Sequence, residues 1–548
     1  MYIAIVPNRQ SPPAILLRES YREKGKVKTR TLANLTSWPP ARVDALKRCL
    51  RGEFDGTDPD QLPVSDRIFG VLFALKAVAQ QVGLVSALGQ KPVAKLALFL
   101  VLARVAHQGS RLSAVRWAKD HAVAEILGLP AFDEDDLYEA LDWLGTHQDV
   151  IEKKLYRAYV QRTGQPPILV LYDVTSSYFE GDKNELAAYG YNRDGKKHKK
   201  QIVIGLLTGP DGEPLAVTVF KGNTADPSTV AEQIERIKTQ FKIIEVVFVG
   251  DRGMVKAKAK AALTEQGLKY ITALTDPQIR TLLKRDVIQL NLFDETLQDV
   301  EEGGRRLILR RNEALRHKVA TRRQDKLATL AQKVAARNAF VQKATRATPE
   351  AGQRQLTQWA KTHKLSAFTT LALQDTQLIL EIDEAQQAEA ALLDGCSVLE
   401  TDVAGEMMDA STVDARYRDL QRVERDFRTM KTGFLELRPI FVRKESRTRG
   451  HVFAAMLALK VVREGERGLK DAFGTTEQSA EALTLDDALG ALSQLCFQRQ
   501  KIGGQEVLHL ARPDARQASI FAAWGITPPT TRPAKANSVG RGVASSRP

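Results

Sequence analysis

Three acidic residues of this chain stand where carboxylates can do chemistry. Asp173 directly follows the apolar run 168–172, Asp251 closes a second apolar run at 243–250, and Glu424 lies in an amphipathic helical stretch. A carboxylate at the end of a buried strand loses hydration unless a positive group meets it. Two such carboxylates at one sheet edge repel each other, so a cation bound by both would stabilise them.

The kind of cation follows from the available ligands. Carboxylate oxygens without a nearby pair of Cys or His favour Mg²⁺ or Mn²⁺ over Zn²⁺. The three cysteines, Cys49, Cys396 and Cys496, are far apart and show no metal-binding spacing. The sequence therefore predicts a divalent metal at Asp173 and Asp251, and reduced thiols in a cytosolic setting.

The elements that would position the two aspartates lie between residues 165 and 275. The pattern there predicts three strands, a helix, a strand, a helix and a final strand. This order indicates an α/β fold with a mixed sheet flanked by helices. We expect Asp173 and Asp251 to end neighbouring buried strands.

A single helix at about 414–434 would supply the third acid. Tyr417, Glu424 and Lys431 are spaced by seven residues, so they fall on one stripe of this helix. The adjacent stripe is apolar and would dock the helix on the sheet; its members are Leu420, Val423, Phe427 and Met430. Glu424 is thus expected at the margin between core and solvent.

The remaining chain divides by its changes of pattern and composition. Within 41–160, a helix-turn-helix that reads DNA and hairpins that pack only on themselves both stay open. The predicted regions are a small β unit at 1–40 with Lys and Arg on its open face, a helical region at 41–160, a catalytic core at 165–275 and 411–470, a basic helix plus strand insertion at 276–410, a C-terminal helical region at 471–525 and a disordered tail at 526–548.

The charge balance points to a polyanionic partner. Lys plus Arg number 80 against 66 Asp plus Glu, which gives a net charge of +14 and an isoelectric point near 9.5. Residues 305–346 hold thirteen basic and two acidic residues. Nucleic acid is the simplest partner; a basic protein without one, and a merely solvated helix face at 305–346, are the alternatives.

The sequence predicts no membrane segment. The start "MYIAIVPNRQ" has no charged stretch leading into an apolar one, so we expect no signal peptide. The longest apolar run, 96–103, is too short to span a bilayer and is typical of a buried helix. We expect a soluble cytoplasmic protein.

Three acidic motifs carry a family resemblance. The segments "YDVTSSYFEG", "VVFVGDRGM" and "YRDLQRVERDFRTMK" resemble those of bacterial insertion-sequence DDE transposases whose last motif reads Y-x2-R-x3-E-x6-K. Tyr417, Glu424 and Lys431 fill that pattern, whereas Leu420 stands at the Arg position. The resemblance covers roughly residues 1–470.

The resemblance implies an RNase H-like fold with a large insertion between the second Asp and the Glu. It implies that Asp173, Asp251 and Glu424 are catalytic and hold two Mg²⁺ ions, with Mn²⁺ as an alternative, and that Tyr417 and Lys431 contact the terminal phosphate. The implied activity is cut-and-paste transposition by a homodimer on double-stranded DNA, which includes the terminal inverted repeats and the target. The implied location is the bacterial cytoplasm, on the nucleoid when DNA is bound.

Several assignments stay open on the sequence alone. Arg252 either contacts the same DNA backbone or pairs with a structural acid. Arg418 or Arg428 could supply the charge that Leu420 lacks, and Arg428 is kept as a DNA-binding candidate. Trp359 either stacks on an unpaired base or packs in the core of the insertion. A metal-dependent nuclease without strand joining and a non-catalytic DNA-binding protein are the alternative functions.

The positive net charge of +14 predicts salt-dependent binding to DNA. Affinity for duplex DNA should fall steeply as salt rises, because basic residues that neutralise phosphates release condensed counterions. Fluorescence anisotropy over a series of salt concentrations measures this, and a flat plot of log K against log salt would remove nucleic acid as the main partner.

Overall fold

A computed structural model shows an α/β protein. It describes residues 1–8, 12–53, 65–191, 193, 195–196, 198–243, 246–344, 348–438, 440–475, 479, 482–502 and 505–528. Most of the predicted tail at 526–548 lies outside the described residues. Among the described residues, no helix is long and apolar enough to cross a membrane.

The strands and helices are numbered in chain order. The strands are β1 Tyr2–Val6, β2 Ala14–Glu23, β3 Lys26–Asn34, β4 Ser65–Ile68, β5 Leu169–Tyr178, β6 Gln201–Thr208, β7 Pro214–Lys221, β8 Val247–Gly250, β9 Lys269–Ala273, β10 Gln298–Glu302, β11 Arg305–Arg311, β12 Thr369–Gln374, β13 Gln377–Ile382, β14 Cys396–Thr401, β15 Cys496–Ile502 and β16 Gln505–Leu510. The helices are α1 Pro40–Leu50, α2 Gly70–Gln81, α3 Leu84–Leu88, α4 Pro92–Ala106, α5 Arg111–Lys119, α6 Val123–Leu127, α7 Glu134–Thr163, α8 Asp226–Glu235, α9 Ala257–Glu265, α10 Asp276–Lys284, α11 Glu313–Lys343, α12 Pro349–Thr362, α13 Glu384–Ala391, α14 Ala410–Arg418, α15 Leu420–Lys431, α16 Glu445–Phe473, α17 Leu485–Leu492 and α18 Ala515–Ala523. A π-helical turn at Arg236–Gln240 and a 3₁₀ turn at Leu290–Leu292 complete the set.

The chain forms two compact units. The first comprises Met1–Gln81, Leu88–Leu137 and Val461–Pro548, and the second Val82–Ala87 and Tyr138–Lys460. In the first unit, β1, β2 and β3 form one antiparallel sheet, and β16, β15 and β4 form another.

The C-terminal stretch 471–525 differs from the helical region that the sequence predicted. It contains β15 and β16, which pair with each other, and β15 also pairs with β4. The dipeptide Gly503-Gly504 between the two runs is the sequence signal of a hairpin.

The second unit is built around one eight-stranded mixed sheet. Its strand order is β10-β11-β14-β9-β8-β5-β6-β7. β5, β6 and β7 form an antiparallel meander, whereas β8 runs parallel to β5 and β9 parallel to β8. The predicted mixed sheet flanked by helices is therefore confirmed.

The stretch 276–410 is divided between two cores. Its strands β10, β11 and β14 continue the main sheet, because β14 pairs antiparallel with β9. By contrast, α11, α12, β12 and β13 surround a core of their own. Trp359 packs against that second core and stacks on His363 with ring centroids 3.7 Å apart.

The predicted single helix at 414–434 is two helices. α14 ends at Arg418 and α15 begins at Leu420, with Asp419 between them. The Asp419 carboxylate holds this junction through ion pairs with Arg416 at 3.0 Å and Arg422 at 3.2 Å. Tyr417 therefore lies on a different helix from Glu424 and Lys431.

The apolar stripe of α15 is buried as predicted. Its exposed fractions are 8% for Leu420, 0% for Val423, 5% for Phe427 and 1% for Met430. The leucine at the motif's Arg position thus belongs to the packed face. Lys431, predicted to lie on the margin stripe with Glu424, is only 8% exposed, which a long aliphatic stem permits.

Phe427→Ala should lower the melting temperature clearly, because truncating a buried phenylalanine costs about 3–5 kcal/mol. Arg425→Ala, at an exposed position of the same helix, is the matched control and should melt like the wild type. Thermal denaturation followed by circular dichroism compares the two, and an unchanged Phe427→Ala variant would mean that α15 does not dock through this face.

Candidate active site

The parallel pairing of β5 and β8 brings two of the predicted acids together. In the register of this pair, Tyr172 lies opposite Gly250, so the next residues, Asp173 and Asp251, leave the pairing side by side. Asp173 does not end its strand, contrary to the expectation. β5 continues to Tyr178 along β6, and only its neighbour β8 stops at Gly250, which opens the sheet on that side.

The third predicted acid shares the same cleft. The cleft has a volume of about 410 Å³, with the two aspartates on one side and α15 on the other. Its lining residues are Asp173, Val174, Thr175, Arg193, Asp226, Asp251, Met254, Glu424, Phe427, Arg428, Lys431 and Thr432. Among the described residues, no three His, Cys, Asp or Glu side chains form a group close enough to hold a metal ion.

The Asp173 carboxyl carries the strongest electrostatic signature of the cleft. Burial, and to a smaller extent the nearby charges of Asp251 and Glu424, raise its pKa to about 7. The Val174 N–H, which donates to Asp173 Oδ1 at 2.7 Å, and the Arg193 guanidinium act in the opposite direction. The negative charge of Asp173 is therefore incompletely compensated by the protein, a property that suits a bound cation.

Asp251 is held from two sides. Its Oδ1 accepts a hydrogen bond from the Arg252 N–H at 2.8 Å and another from the Tyr417 hydroxyl at 3.2 Å. Burial, and then the charge of Asp251, raise the pKa of Tyr417 above its usual value. The phenol thus stays protonated and acts as a hydrogen-bond donor at the edge of the site.

The cationic residues predicted to contact DNA lie either in the cleft or on the exposed surface beside Tyr417. Arg428 and Lys431 both line the cleft. Arg252 has an exposed side chain and lies beside Tyr417. Its positive charge partly offsets the rise in the pKa of Tyr417. Arg418 instead pairs with Asp414.

The sequence patterns did not indicate two further residues of the cleft, Arg193 and Asp226. They form an ion pair with each other, and the Arg193 N–H donates to Ser176 Oγ at 3.0 Å. Arg193 lies in a loop without periodicity, and Asp226 has the features of an ordinary acid in the first turn of a helix. Only the topology of the sheet brings them to Asp173.

Two family models match parts of the chain. Residues 164–460 match the family model of the transposase DDE domain, and residues 3–61 match the N-terminal domain of IS1634 family transposases. Comparison with curated protein sequences gives no match.

Two solved structures of transposases align with the chain. A piggyBac transposase synaptic complex with hairpin DNA, determined by cryo-electron microscopy, aligns over 77% of this chain and 76% of its own at 9% identity and a TM-score of 0.34. A Mos1 transposase paired-end complex with the left transposon end aligns over 30% of this chain and 58% of its own at 11% identity and a TM-score of 0.14. Superposition at this level carries no argument about the site.

The DDE-domain match spans more than half of the chain, and the protein therefore belongs to the DDE transposases, a class of enzymes that cleave and transfer nucleic-acid strands. Together with the N-terminal match, this confirms the resemblance found in the sequence: the chain is an insertion-sequence DDE transposase.

The raised pKa of Asp173 predicts a pH dependence of stability in the absence of divalent metal. Between pH 4 and pH 7 the native carboxyl, with a pKa of about 7, holds a proton that the unfolded chain, with a pKa of about 4, has released. Stability should therefore fall as pH rises through this window. Melting temperatures measured in chelator from pH 4.5 to 7.5 test this. Asp173→Asn should remove part of the slope, and identical slopes for the two proteins would contradict it.

Proposed function

We propose that this transposase cleaves the ends of its insertion sequence and joins them to target DNA by two-metal chemistry at Asp173, Asp251 and Glu424. The observation that carries the proposal is the shared cleft, in which these three acids lie at the open end of a parallel strand pair. Oxygen-only donors suit Mg²⁺, with Mn²⁺ as an alternative. The raised pKa of Asp173 marks a carboxylate that a cation would stabilise.

The metal ions would activate a water or a 3′-hydroxyl on one side of a phosphodiester and stabilise the leaving oxygen on the other. The side chains around the acids would position the DNA. Lys431 and Arg428 line the cleft and would meet phosphate oxygens with charge-assisted hydrogen bonds. Tyr417, held protonated against Asp251, would donate to the terminal phosphate. Arg252, exposed beside it, would contact the flanking backbone.

The topology supports an RNase H-like assignment for the core. An antiparallel meander, β5-β6-β7, is followed by two further strands parallel to β5, and the resulting order β7-β6-β5-β8-β9 places the first strand in the middle. The middle position lets β5 present Asp173 beside both β8 and α15. In this proposal residues 276–410 are an insertion between the second acid and the third.

The proposed partner is double-stranded DNA, bound as terminal inverted repeats and as target by a homodimer. The positive net charge supports a DNA partner. The basic helix α11 would contribute backbone contacts without reading sequence. Four of its exposed basic residues, Lys318, Arg322, Lys326 and Lys333, lie within one 80° sector of the helix.

Replacing any one of the three acids by its amide should abolish cleavage while leaving DNA binding largely intact, because metal ligation and backbone contacts are separate interactions. The variants are Asp173→Asn, Asp251→Asn and Glu424→Gln. The assay follows a labelled duplex that carries the inverted repeats flanking the reading frame, with Mg²⁺ and with chelator.

Glu235→Gln is the matched control, since Glu235 is an exposed acid of α8 in the same unit. It should cleave like the wild type. Cleavage by Asp173→Asn at the wild-type rate, or metal-independent cleavage, would refute the proposed chemistry. Cleavage without any joined product would support the alternative function, a metal-dependent nuclease that does not join strands.

A further inference from the structure

The N-terminal sheet continues as a bare two-stranded ribbon. β1 pairs with residues 14–18 of β2, and beyond Arg18 the described pairing is between β2 and β3 alone. Every residue from 20 to 32 is exposed, so neither face of the ribbon is covered by the described chain. Isolated two-stranded hairpins are marginally stable at best in water. Because residues 20–32 bury no side chain, packing in the core does not explain why the chain forms this extension.

The ribbon is closed by a tight turn that suits a projecting hairpin. Lys24 and Gly25 both have positive φ, 47° and 76°. Two adjacent residues in this region form the type I′ turn, whose twist matches that of the flanking strands. From Arg18 to Glu23 the ribbon extends about 17 Å at about 3.4 Å per residue.

The charge of the ribbon is strongly one-sided. Residues 20–32 contain five basic residues and one acid. The basic residues are Arg22, Lys24, Lys26, Lys28 and Arg30. An excess of this kind on an exposed element favours a polyanion as its partner.

The two faces of the ribbon differ in chemistry. On one face, acids are already paired with bases: Lys28 with Glu23 at 2.6 Å and Arg30 with Glu19 at 2.7 Å, with the Arg30 guanidinium 5.5 Å from the centre of the Tyr21 ring. We call this the ion-paired face.

The opposite face contains no acid. The cross-strand pairs there are Arg18 with Thr31, Ser20 with Thr29 and Arg22 with Val27. We call this the open face.

We propose that the open face enters the major groove of duplex DNA and reads base edges. The major groove, about 12 Å wide and 8.5 Å deep, admits a two-stranded β-ribbon, and about 17 Å of free ribbon is enough to reach its floor. The open face carries the groups that this groove recognises: an arginine for guanine O6 and N7, hydroxyls for either donors or acceptors, and methyl groups for the thymine methyl. The proposal rests on the DNA-binding function proposed above. It adds that the β2–β3 ribbon is the element that reads sequence and that it does so in the major groove.

The test uses the full chain in chelator, so that no cleavage occurs. A 30-base-pair duplex, selected from a random library by the wild-type protein, and a scrambled duplex of the same composition are the probes. Arg22→Ala should weaken binding to the selected duplex about fivefold or more, the range for a lost base contact, and affect the scrambled duplex much less. Lys28→Ala removes the same charge from the ion-paired face of the same ribbon and should weaken both duplexes alike, by about twofold at most.

Groove occupancy provides a second readout. Wild type and Lys28→Ala should protect guanine N7 atoms of the selected duplex from methylation, and Arg22→Ala should lose that protection. Thr29→Ala repeats the test at a second position of the open face. Equal losses of affinity for both duplexes in Arg22→Ala and Lys28→Ala would mean that the ribbon binds DNA only through nonspecific charge. Unchanged affinity in both variants would mean that the ribbon does not contact DNA.

A third outcome would also overturn the inference. If Arg22→Ala changed the mass of the free protein in light scattering and left DNA binding unchanged, the open face would dock a second copy of the chain. The binding readout is made in chelator and requires no cleavage. Failure of the proposed cleavage chemistry therefore leaves this test intact, and failure of this test leaves the cleavage assay intact.

Discussion

Repulsion between Asp173 and Asp251 is the constraint around which the second unit is organised. The parallel register of β5 and β8 places both carboxylates at one opening of the sheet, where burial and the nearby charge of Asp251 disfavour ionisation of Asp173. The protein answers with only partial compensation, since Arg193 is itself paired with Asp226. The site is therefore held in a state of unmet negative charge, which a bound divalent cation would relieve.

The position of α15 follows from its buried apolar stripe. That stripe packs the helix beside β5, and the neighbouring positions then bring Glu424, Arg428 and Lys431 to the cleft. The same helix thus supplies one further acid and two bases. The negative charge of Glu424 adds to the repulsion at Asp173. The positive charges of Arg428 and Lys431 would attract an anion to the same cleft. One helix would therefore offer a carboxylate to a metal ion and cationic side chains to a phosphate.

Part of this arrangement could be predicted from the sequence, because long runs of β-branched and aromatic residues predict buried strands, and an amphipathic pattern predicts the docked helix that carries Glu424. The continuation of β5 past Asp173 to Tyr178 could not, because the pairing of its second half with β6 is set by the sheet. The break at Asp419 could not, since apolar periodicity continues across it and an aspartate on a helix surface is ordinary. The burial of Lys431 was missed because hydrophobic patterns assign lysine to solvent, although its stem packs well. Arg193 was missed because a loop has no period, and its neighbours in space are set by the whole sheet.

The continuation of the main sheet by β14, β11 and β10 has a consequence for how such a chain can be shortened. β9 pairs with β8 on one side and with β14, from the inserted stretch, on the other. Removing residues 276–410 would leave the outer row of N–H and C=O groups of β9 unpaired, and an uncovered edge strand is a template for association with other chains. A compact relative that lacks this stretch would have to shield β9 by another device, such as a helix, a charged edge residue or a bulge. Residues 276–410 therefore shield the edge of β9 in the main sheet, whatever else they contact.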